Sequence, residues 1–311
     1  MTGEEPAMHR RRGAIVATAL FVGALFGAEP VAAADWRAEF RELRFGITSA
    51  ENESDTLARW DSFAQHMQRK LGVRVTVHRG SDYAAVVEAL HSRRIEFARM
   101  GPAAYARAIQ VMGDGIVPIA RDMDMDGAVG YHSVIVVRAD SPLRTIEDLR
   151  GKSLAFADPN SASGFQAPAY FLTQSGKAPA SFFGRTGFAG NHETAVLAVT
   201  NRQFDAAATW WNNAQRSNVS RMEEKKMIEP GAVRVVWTSP MIPNSPWVMR
   251  RLPADLAKAY TDALLSLPAE APEVWNRLVD GKMLKTVPAA AADYVDMVRM
   301  IEQNQRARRG S

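Results

Sequence analysis

The sequence predicts an α/β fold of two lobes that are joined by two extended strands. Short apolar segments alternate with amphipathic helices along most of the chain, which is the pattern of α/β domains. Two extended runs, Val129 to Arg138 and Val233 to Ser239, lie at the boundaries between the two series of elements. The 311 residues are 47% hydrophobic, enough for about two cores. These observations predict a hinged molecule with a ligand cleft between its lobes.

The first 34 residues have the layout of a secretory signal peptide. Arg10 to Arg12 precede an apolar run of 16 residues, Gly13 to Ala28, and Ala32 to Ala34 supply the small residues of a cleavage site. The run is shorter than the roughly 20 residues that a spanning helix needs. We therefore expect cleavage near Ala34 and a mature protein in the periplasm, with a retained N-terminal anchor as the alternative.

The first α/β series is predicted to form most of lobe 1, residues 35–133. Helical spacing of three and four residues marks the segment after Asp55, and Pro102 suits the first position of a helix because its missing N–H has no intrahelical partner there. The predicted strands are Leu43 to Thr48, Val73 to His78, Phe97 to Met100, Ile116 to Ala120 and Tyr131 to Val137. The predicted helices are Asp55 to Leu71, Tyr83 to Leu90 and one that begins at Pro102.

The second series is predicted to form lobe 2, residues 134–238, and the remainder, residues 239–311, returns to lobe 1 as C-terminal helices. The predicted strands are Ser153 to Ala157, Asp205 to Thr209 and Val233 to Trp237. The predicted helices are Thr145 to Leu149, Gly164 to Gln174, His192 to Asn201, Ala254 to Leu267, Glu270 to Val279 and Ala289 to Gln303.

Composition excludes several classes of function. The chain has no cysteine, so disulfides, thiolate catalysis and cysteine-bound zinc are excluded together. The net charge is only +4, from 38 Lys and Arg against 34 Asp and Glu, and it is not clustered. Nucleic acid is therefore not expected as a partner. The chain contains neither a Walker motif nor a dinucleotide fingerprint, and we expect no cofactor.

A serine-rich segment, Asp158 to Gly164, follows a predicted strand and leads directly into a predicted helix. Ser161 suits the N-cap, so the first N–H groups of the helix point out along its positive dipole. Serine hydroxyls add donors, and Gly164 is expected to let a ligand approach the backbone. The segment fits a tetrahedral oxyanion, although an ordinary capped helix has the same pattern.

Six segments, in order along the chain, resemble the phosphonate-binding periplasmic component of ABC importers. The likeness covers most of the chain up to about residue 250, and its most specific parts are the serine segment and the segment that begins at His192. The segments are Leu43 to Ile47, Gly80 to Tyr83, Gly130 to Val134, Asp158 to Gly164, His192 to Val199 and Trp237 to Pro243.

The resemblance implies a type II periplasmic binding fold, a monomer, and a membrane permease as its partner. In the family, helix-end N–H groups, hydroxyls, a tyrosine and a histidine hold the phosphonate head. The matching positions here are Tyr83, Ser161, Ser163 and His192. Two positions depart from many relatives, since Ala162 replaces a threonine and Met100 replaces a tyrosine. These two residues and Tyr131 complete the candidate pocket around the head.

The positions that match acidic residues in aminoalkyl-phosphonate binders are Asn212 and Ser245, and neither carries a charge. Trp210, Trp211 and Trp247 lie beside them in the sequence, which predicts a neutral, aromatic end of the pocket. An ammonium buried without a carboxylate costs several kcal/mol. Methylphosphonate or phosphite is therefore expected to bind better than 2-aminoethylphosphonate, unless another acid such as Glu193 or Asp205 turns into the pocket.

Catalytic interpretations are weaker. Ser161 or Ser163 with His192 and Asp205 could form a nucleophile, base and orienting acid, which would make the chain an extracytoplasmic hydrolase of a phosphorus ester, but no Gly-x-Ser-x-Gly turn surrounds either serine. A zincin motif after His192 is excluded by Val196, so no metal is expected. A binding protein that serves a sensor rather than an importer has the same site chemistry and remains an alternative.

Overall fold

The computed structural model describes residues 35–48 and 53–309. For residues 53–58 it describes the backbone only. The described residues form one compact unit that contains two sheets. The signal peptide predicted for residues 1–34 lies outside the described residues. Within the described part of the chain, no helix is both long and apolar enough to cross a membrane.

The first sheet has six strands in the order β13-β4-β12-β3-β1-β2. Strand β1 is parallel to β2 and β3, whereas β12 runs antiparallel to both β3 and β4 and so inserts a late segment of the chain between two early strands. The strands are β1 (Glu42–Ile47), β2 (Arg74–Arg79), β3 (Phe97–Arg99), β4 (Ile116–Asp124), β12 (Pro246–Arg250) and β13 (Met283–Pro288).

The second sheet has seven strands, with the path β10-β5-β8-β6-β7 and two short strands, β9 and β11, at its margins. Strand β5 pairs antiparallel with β10 and with β11, so the two extended runs predicted from the sequence lie side by side. The strands are β5 (Gly130–Arg138), β6 (Ser153–Phe156), β7 (Arg185–Phe188), β8 (Ala206–Asn213), β9 (Arg216–Ser217), β10 (Val233–Thr238) and β11 (Ile242–Pro243).

Helices flank both sheets, as the α/β pattern predicts. They are α1 (Trp36–Glu39), α2 (Glu53–Leu71), α3 (Tyr83–His91), α4 (Pro102–Met112), α5 (Ala167–Gln174), α6 (Pro179–Phe182), α7 (His192–Thr200), α8 (Asn218–Glu224), α9 (Ala254–Glu270), α10 (Pro272–Val279) and α11 (Val295–Arg309). One π-helical turn, Ala162–Gln166, leads into α5. The segment predicted as a helix at Thr145 to Leu149 contains only a 3₁₀ turn, Glu147–Leu149.

Each sheet has its own buried core. In the first, Phe45, Trp60, Phe63 and Trp247 form an aromatic cluster with ring centroids 5.2–5.6 Å apart. In the second, the apolar residues of β5 and β8 are almost completely buried between α5 on one face and α7 on the other. The C-terminal helix α11 packs against both α4 and α5, and Asn304 donates to the backbone oxygen of Gln166 at 2.9 Å. Core packing thus fixes the strand ends from which the cavity between the sheets is built.

Candidate functional site

A cavity of about 140 Å³ lies between the two sheets, next to the carboxyl ends of β1, β3 and β6. In α/β sheets this edge is the usual position of a ligand. The residues proposed from the sequence come together here, because all nine of them line this one cavity: Tyr83, Met100, Tyr131, Ser161, Ala162, Ser163, His192, Asn212 and Ser245. Sequence analysis missed several of the other lining residues, and four arginines are chief among them.

Four helices begin at one end of the cavity, and we call this part of it the helix-start end. Tyr83 is the first residue of α3, Gly101 caps α4, Ser161 caps the helical segment that contains α5, and His192 is the first residue of α7. The first N–H groups of a helix have no intrahelical acceptor and carry the positive end of the helix dipole. The helix-start end therefore offers positive backbone dipoles without a cationic side chain, beside the carboxylates of Asp82 and Asp158 at the start of α3.

Local capping explains why these helices begin where they do. The Asp82 carboxylate accepts from the N–H of Ala85 at 2.8 Å, and the Asn191 side chain accepts from the N–H of Thr194 at 2.8 Å. Gly101 needs no such cap because Pro102 follows it and is already suited to the first helical position. These short-range rules set Tyr83 and His192 at the helix-start end of the cavity.

The serine segment forms a cap of the kind that the sequence predicts. Ser161 Oγ accepts from the N–H of Gly164 at 3.0 Å, while the first backbone acceptor of the segment, the Ser161 carbonyl, receives the N–H of Gln166 at 3.0 Å. The N–H groups of Ala162 and Ser163 precede that first helical bond, so helix geometry leaves them without an intrahelical partner.

Gly164 has a packing role that the sequence did not predict. A Cβ atom there would lie 2.5 Å from the Ala157 side chain and 2.9 Å from both His192 Cε1 and Ser161 Oγ. The glycine is therefore needed for close packing of the serine cap against Ala157, the residue after β6, and against His192.

His192 is buried, and both of its ring nitrogens have protein partners. Nε2 lies 3.0 Å from Ser161 Oγ, and Nδ1 lies 3.1 Å from Thr209 Oγ1. Burial lowers the pKa of His192 to about 3, so the ring is neutral at physiological pH. It supplies no positive charge to the cavity, and its role is to orient the Ser161 hydroxyl.

Two tyrosine hydroxyls complete the helix-start end. Burial raises the pKa of Tyr131 to about 12 and raises the pKa of Tyr83 well above its usual value, so both hydroxyls remain protonated donors. The Tyr83 hydroxyl lies close to the side chain of Ser161, and the Tyr131 hydroxyl lies close to the side chain of Ser163. Since Tyr83 comes from the first α/β series and Ser161 from the second, this contact spans the cavity.

Another part of the cavity lining is charged, so the prediction of a neutral, aromatic surface beside Asn212 and Ser245 is wrong. Arg216 pairs with Asp124 at 2.9 Å, and Asn212 donates to the same carboxylate at 2.7 Å. Arg99 pairs with Asp122 at 2.5 Å, and Arg59 and Arg221 both pair with Asp280, at 3.3 and 2.8 Å. We call this part of the cavity the arginine end; its guanidiniums belong to Arg59, Arg99, Arg216 and Arg221.

Sequence analysis placed the three tryptophans together at one end of the pocket, but in the structure they do not share one wall. Trp210 lines the cavity and lies between the guanidiniums of Arg216 and Arg221, at 5.9 and 5.1 Å from its ring centroid. Trp247 is fully buried in the first core, where its Nε1 donates to Asp122 at 2.7 Å. Alternation along β8 points Trp211 away from the cavity that Trp210 lines.

Neither acid proposed as a substitute turns into the cavity. Glu193 pairs with Lys225 at 2.9 Å, and Asp205 accepts from the backbone and side chain of Ser153 at 2.9 and 2.7 Å. Among the described residues, no group of three His, Asp or Glu side chains is arranged to hold a metal ion.

The two sheets and the cavity at their strand ends define the type II periplasmic binding fold. A family model described as "ABC transporter, phosphonate, periplasmic substrate-binding protein" matches residues 45–294. The chain therefore belongs to this family of phosphonate-binding periplasmic components, as the six motifs indicated.

Similar proteins agree with that assignment. The chain is 36% identical over 215 residues to the phosphonates-binding periplasmic protein of Escherichia coli K12; the match covers 68% of this chain but only 61% of that protein, less than two thirds. It is 29% identical over 315 residues to the phosphate-import protein PhnD of Mycolicibacterium smegmatis, with 95% of each covered. A binding protein component of an ABC phosphonate transporter from Pseudomonas aeruginosa superposes with a TM-score of 0.75 at 26% identity, covering 85% of this chain and 87% of that one.

We expect His192 to carry its proton on Nε2. In that tautomer the buried Thr209 hydroxyl donates to Nδ1. In the Nδ1–H tautomer Thr209 has to accept from the ring, and the proton of the Thr209 hydroxyl then has no hydrogen-bond acceptor among the described residues. Nitrogen-15 NMR of the histidine ring should show the Nε2–H form in the parent and in Thr209→Ser, and a mixture of tautomers in Thr209→Val. An unchanged tautomer in Thr209→Val would show that Thr209 does not set it.

The lowered pKa of His192 predicts a loss of stability in acid. An unfolded histidine takes up its proton near pH 6.5 and the buried one only near pH 3, so its contribution is complete above pH 6.5 and is lost as the pH falls towards 3, by up to about 1.4 kcal/mol per pH unit. Urea unfolding at pH 7 and pH 5 should show a smaller difference for His192→Gln than for the parent.

The exposed His91 supplies the matched control, since His91→Gln should leave the pH difference unchanged. The buried His66 also has a pKa lowered by burial and keeps its own share of the effect in both variants. Equal pH differences in the parent and in His192→Gln would contradict the buried, neutral state of this ring.

Proposed function

We propose that this chain is the periplasmic receptor of an ABC importer and that it captures a small phosphonate or phosphite between its two sheets. The observation that carries the proposal is the convergence of four helix starts and the hydroxyls of Tyr83, Ser161 and Ser163 on one end of a single cavity. Such an end suits a tetrahedral oxyanion. The names of the relatives differ between phosphonate and phosphate, so the ligand has to be argued from the site.

Binding without turnover fits the site better than hydrolysis. A serine nucleophile needs a basic histidine that a carboxylate orients. Here the pKa of His192 is lowered to about 3, its Nδ1 faces the Thr209 hydroxyl, and Asp205 is occupied by Ser153. We therefore assign these groups to ligand binding and propose that the chain is not an enzyme.

The absence of an available carboxylate favours methylphosphonate or phosphite over 2-aminoethylphosphonate. Among the described residues, each acid at the arginine end already pairs with a guanidinium, and Asn212 and Ser245 are uncharged. An ammonium placed there would meet arginines without a partner of its own, and burying such a charge is costly. The sequence argument from the missing carboxylates therefore still supports the preference, and the arginines add repulsion of an ammonium where aromatic side chains had been expected.

The two α/β series, with boundaries near residues 133 and 239, are proposed to act as lobes that move about the paired strands β5 and β10. The Tyr83 to Ser161 contact joins the two series across the cavity, so closure would complete the helix-start end around the ligand. A closed, ligand-loaded shape is what a membrane permease would recognise. The receptor is proposed to act as a monomer.

The serine hydroxyls should contribute directly to affinity. Ser161→Ala combined with Ser163→Ala should weaken methylphosphonate binding by about 1 to 3 kcal/mol, because charged acceptors lose two donors. Calorimetric titration of the folded double variant measures this. Ser175→Ala with Ser181→Ala, whose hydroxyls bond to helix carbonyls outside the cavity, is the matched control. Unchanged affinity in the first double variant would remove these serines from the site.

Competition titration tests the ligand preference. Methylphosphonate and phosphite should each displace 2-aminoethylphosphonate at lower concentrations than it needs to displace them, with phosphate weaker than either of the two. If 2-aminoethylphosphonate instead displaces the other two at lower concentrations, a carboxylate other than those paired with the arginines must bind its ammonium. Recovery of each compound unchanged after long incubation would separate a receptor from a hydrolase.

Closure should be visible in solution. Small-angle scattering should give a smaller radius of gyration with saturating methylphosphonate than without it, because hinge rotation brings the lobes together. The Ser161→Ala, Ser163→Ala variant at the same ligand concentration should show less compaction. A radius of gyration that stays constant at calorimetric saturation would contradict hinge closure.

A further inference from the structure

The arginine end of the cavity is not explained by a ligand that consists of a phosphonate head with a methyl group or hydrogen. Its four guanidiniums line a cavity of about 140 Å³. One water molecule needs roughly 10–15 Å³ of such volume, so the cavity has room for several. The space therefore extends beyond a phosphonate head with one methyl group. A group on the ligand's chain would meet Arg99 and Arg216, which line the cavity directly.

These two arginines keep hydrogen-bond donors for a ligand. A guanidinium carries five N–H groups. Arg99 uses Nε and Nη2 on Asp122, and Arg216 uses only Nη1 on Asp124. Their remaining N–H groups make no hydrogen bond to the described residues. The carboxylates hold both side chains in place, so the free donors are already oriented before a ligand arrives.

We propose that the natural ligand is a phosphonate with a carboxylate on its carbon chain, the phosphonate lying at the helix-start end and the carboxylate on Arg99 and Arg216. The inference rests on the proposed function, since it places the phosphonate head first. It adds a second anionic group on the ligand, which the arginine end would bind while the helix starts and the serines bind the phosphonate.

A carboxylate fits these donors better than other substituents do. The planar guanidinium fork matches two carboxylate oxygens, and charge-assisted bonds of this kind are about twice as strong as neutral ones. A hydroxyl gains less, and an ammonium is repelled. Burial lowers the pKa of Arg216, against the effect of Asp124 and Asp122, and the nearby guanidiniums of Arg99 and Arg221 lower it further. An incoming anion relieves that crowding of positive charge.

The wild-type test compares three ligands of similar size by calorimetry: methylphosphonate, phosphonoacetate and 2-aminoethylphosphonate. Phosphonoacetate should bind roughly tenfold to a hundredfold more tightly than methylphosphonate, which is the gain expected from hydrogen bonds to charged groups. If methylphosphonate binds and phosphonoacetate binds equally or more weakly, the carboxylate inference is overturned and the proposed function stands. If none of the three binds and phosphite does not bind either, the proposed function itself fails.

Variants locate the gain at the arginine end. The measured quantity is the ratio of the methylphosphonate to the phosphonoacetate dissociation constant, so a general change in affinity cancels. Arg216→Gln should lower this ratio about tenfold or more, because it removes the fork. Asp124→Asn should raise the ratio, because its amide oxygen can still accept from Arg216 and hold it in place while the competing negative charge is gone.

Arg138→Gln is the matched control, since Arg138 pairs with Asp140 at 2.9 Å outside the cavity and its loss should leave the ratio unchanged. If Arg216→Gln does not fold, Arg99→Gln gives the same readout at the second guanidinium. Ratios that remain at the parent value in the folded arginine variants and in Asp124→Asn would overturn the assignment of the carboxylate to this end.

Discussion

The site depends on the convergence of four helix starts on one small volume. Each helix contributes the equivalent of roughly half a positive charge at its first turn, carried by fixed backbone N–H groups. Because these dipoles are part of the fold, the helix-start end needs no buried cationic side chain, and His192 can remain neutral. The cationic side chains belong instead to the arginine end, where each guanidinium has a carboxylate beside it.

A neutral histidine is useful here because of what it does to Ser161. The serine oxygen accepts from the Gly164 N–H and, in the expected tautomer, from His192 Nε2. Both acceptor positions are then occupied, so the Ser161 hydroxyl is left as a donor on the side that faces Tyr83 and the cavity. A protonated ring would still donate to the serine, but its charge would be buried beside four helix dipoles of the same sign. Burial, which lowers the pKa of His192, thus keeps the donor geometry without that cost.

Sequence reasoning was successful where local rules decide the structure. Helix starts are governed by residues within a few positions of each other, so Tyr83, Ser161 and His192 could be located from their capping neighbours and from motif resemblance. The packing role of Gly164 could not be predicted because the three atoms that exclude a side chain there come from Ala157 after β6, from α7 and from the serine cap. Strands β7 and β13 were missed because their exposed residues weaken the apolar signal.

The arginine end could not be predicted because non-local pairing creates it. Arg99 ends β3 and Asp122 lies on β4, and the two strands are separated in the sheet by β12, which supplies Trp247 to the same carboxylate. Asp124 and Arg216 belong to different sheets. A buried ion pair of this kind adds little net stability, but the loss of one partner is costly. The Asp124–Arg216 pair therefore favours one placement of β4 against β8 and β9, and that placement is the one that aligns the arginine end with the helix starts. The recognition of a ligand and the relative position of the two sheets consequently depend on the same charged groups.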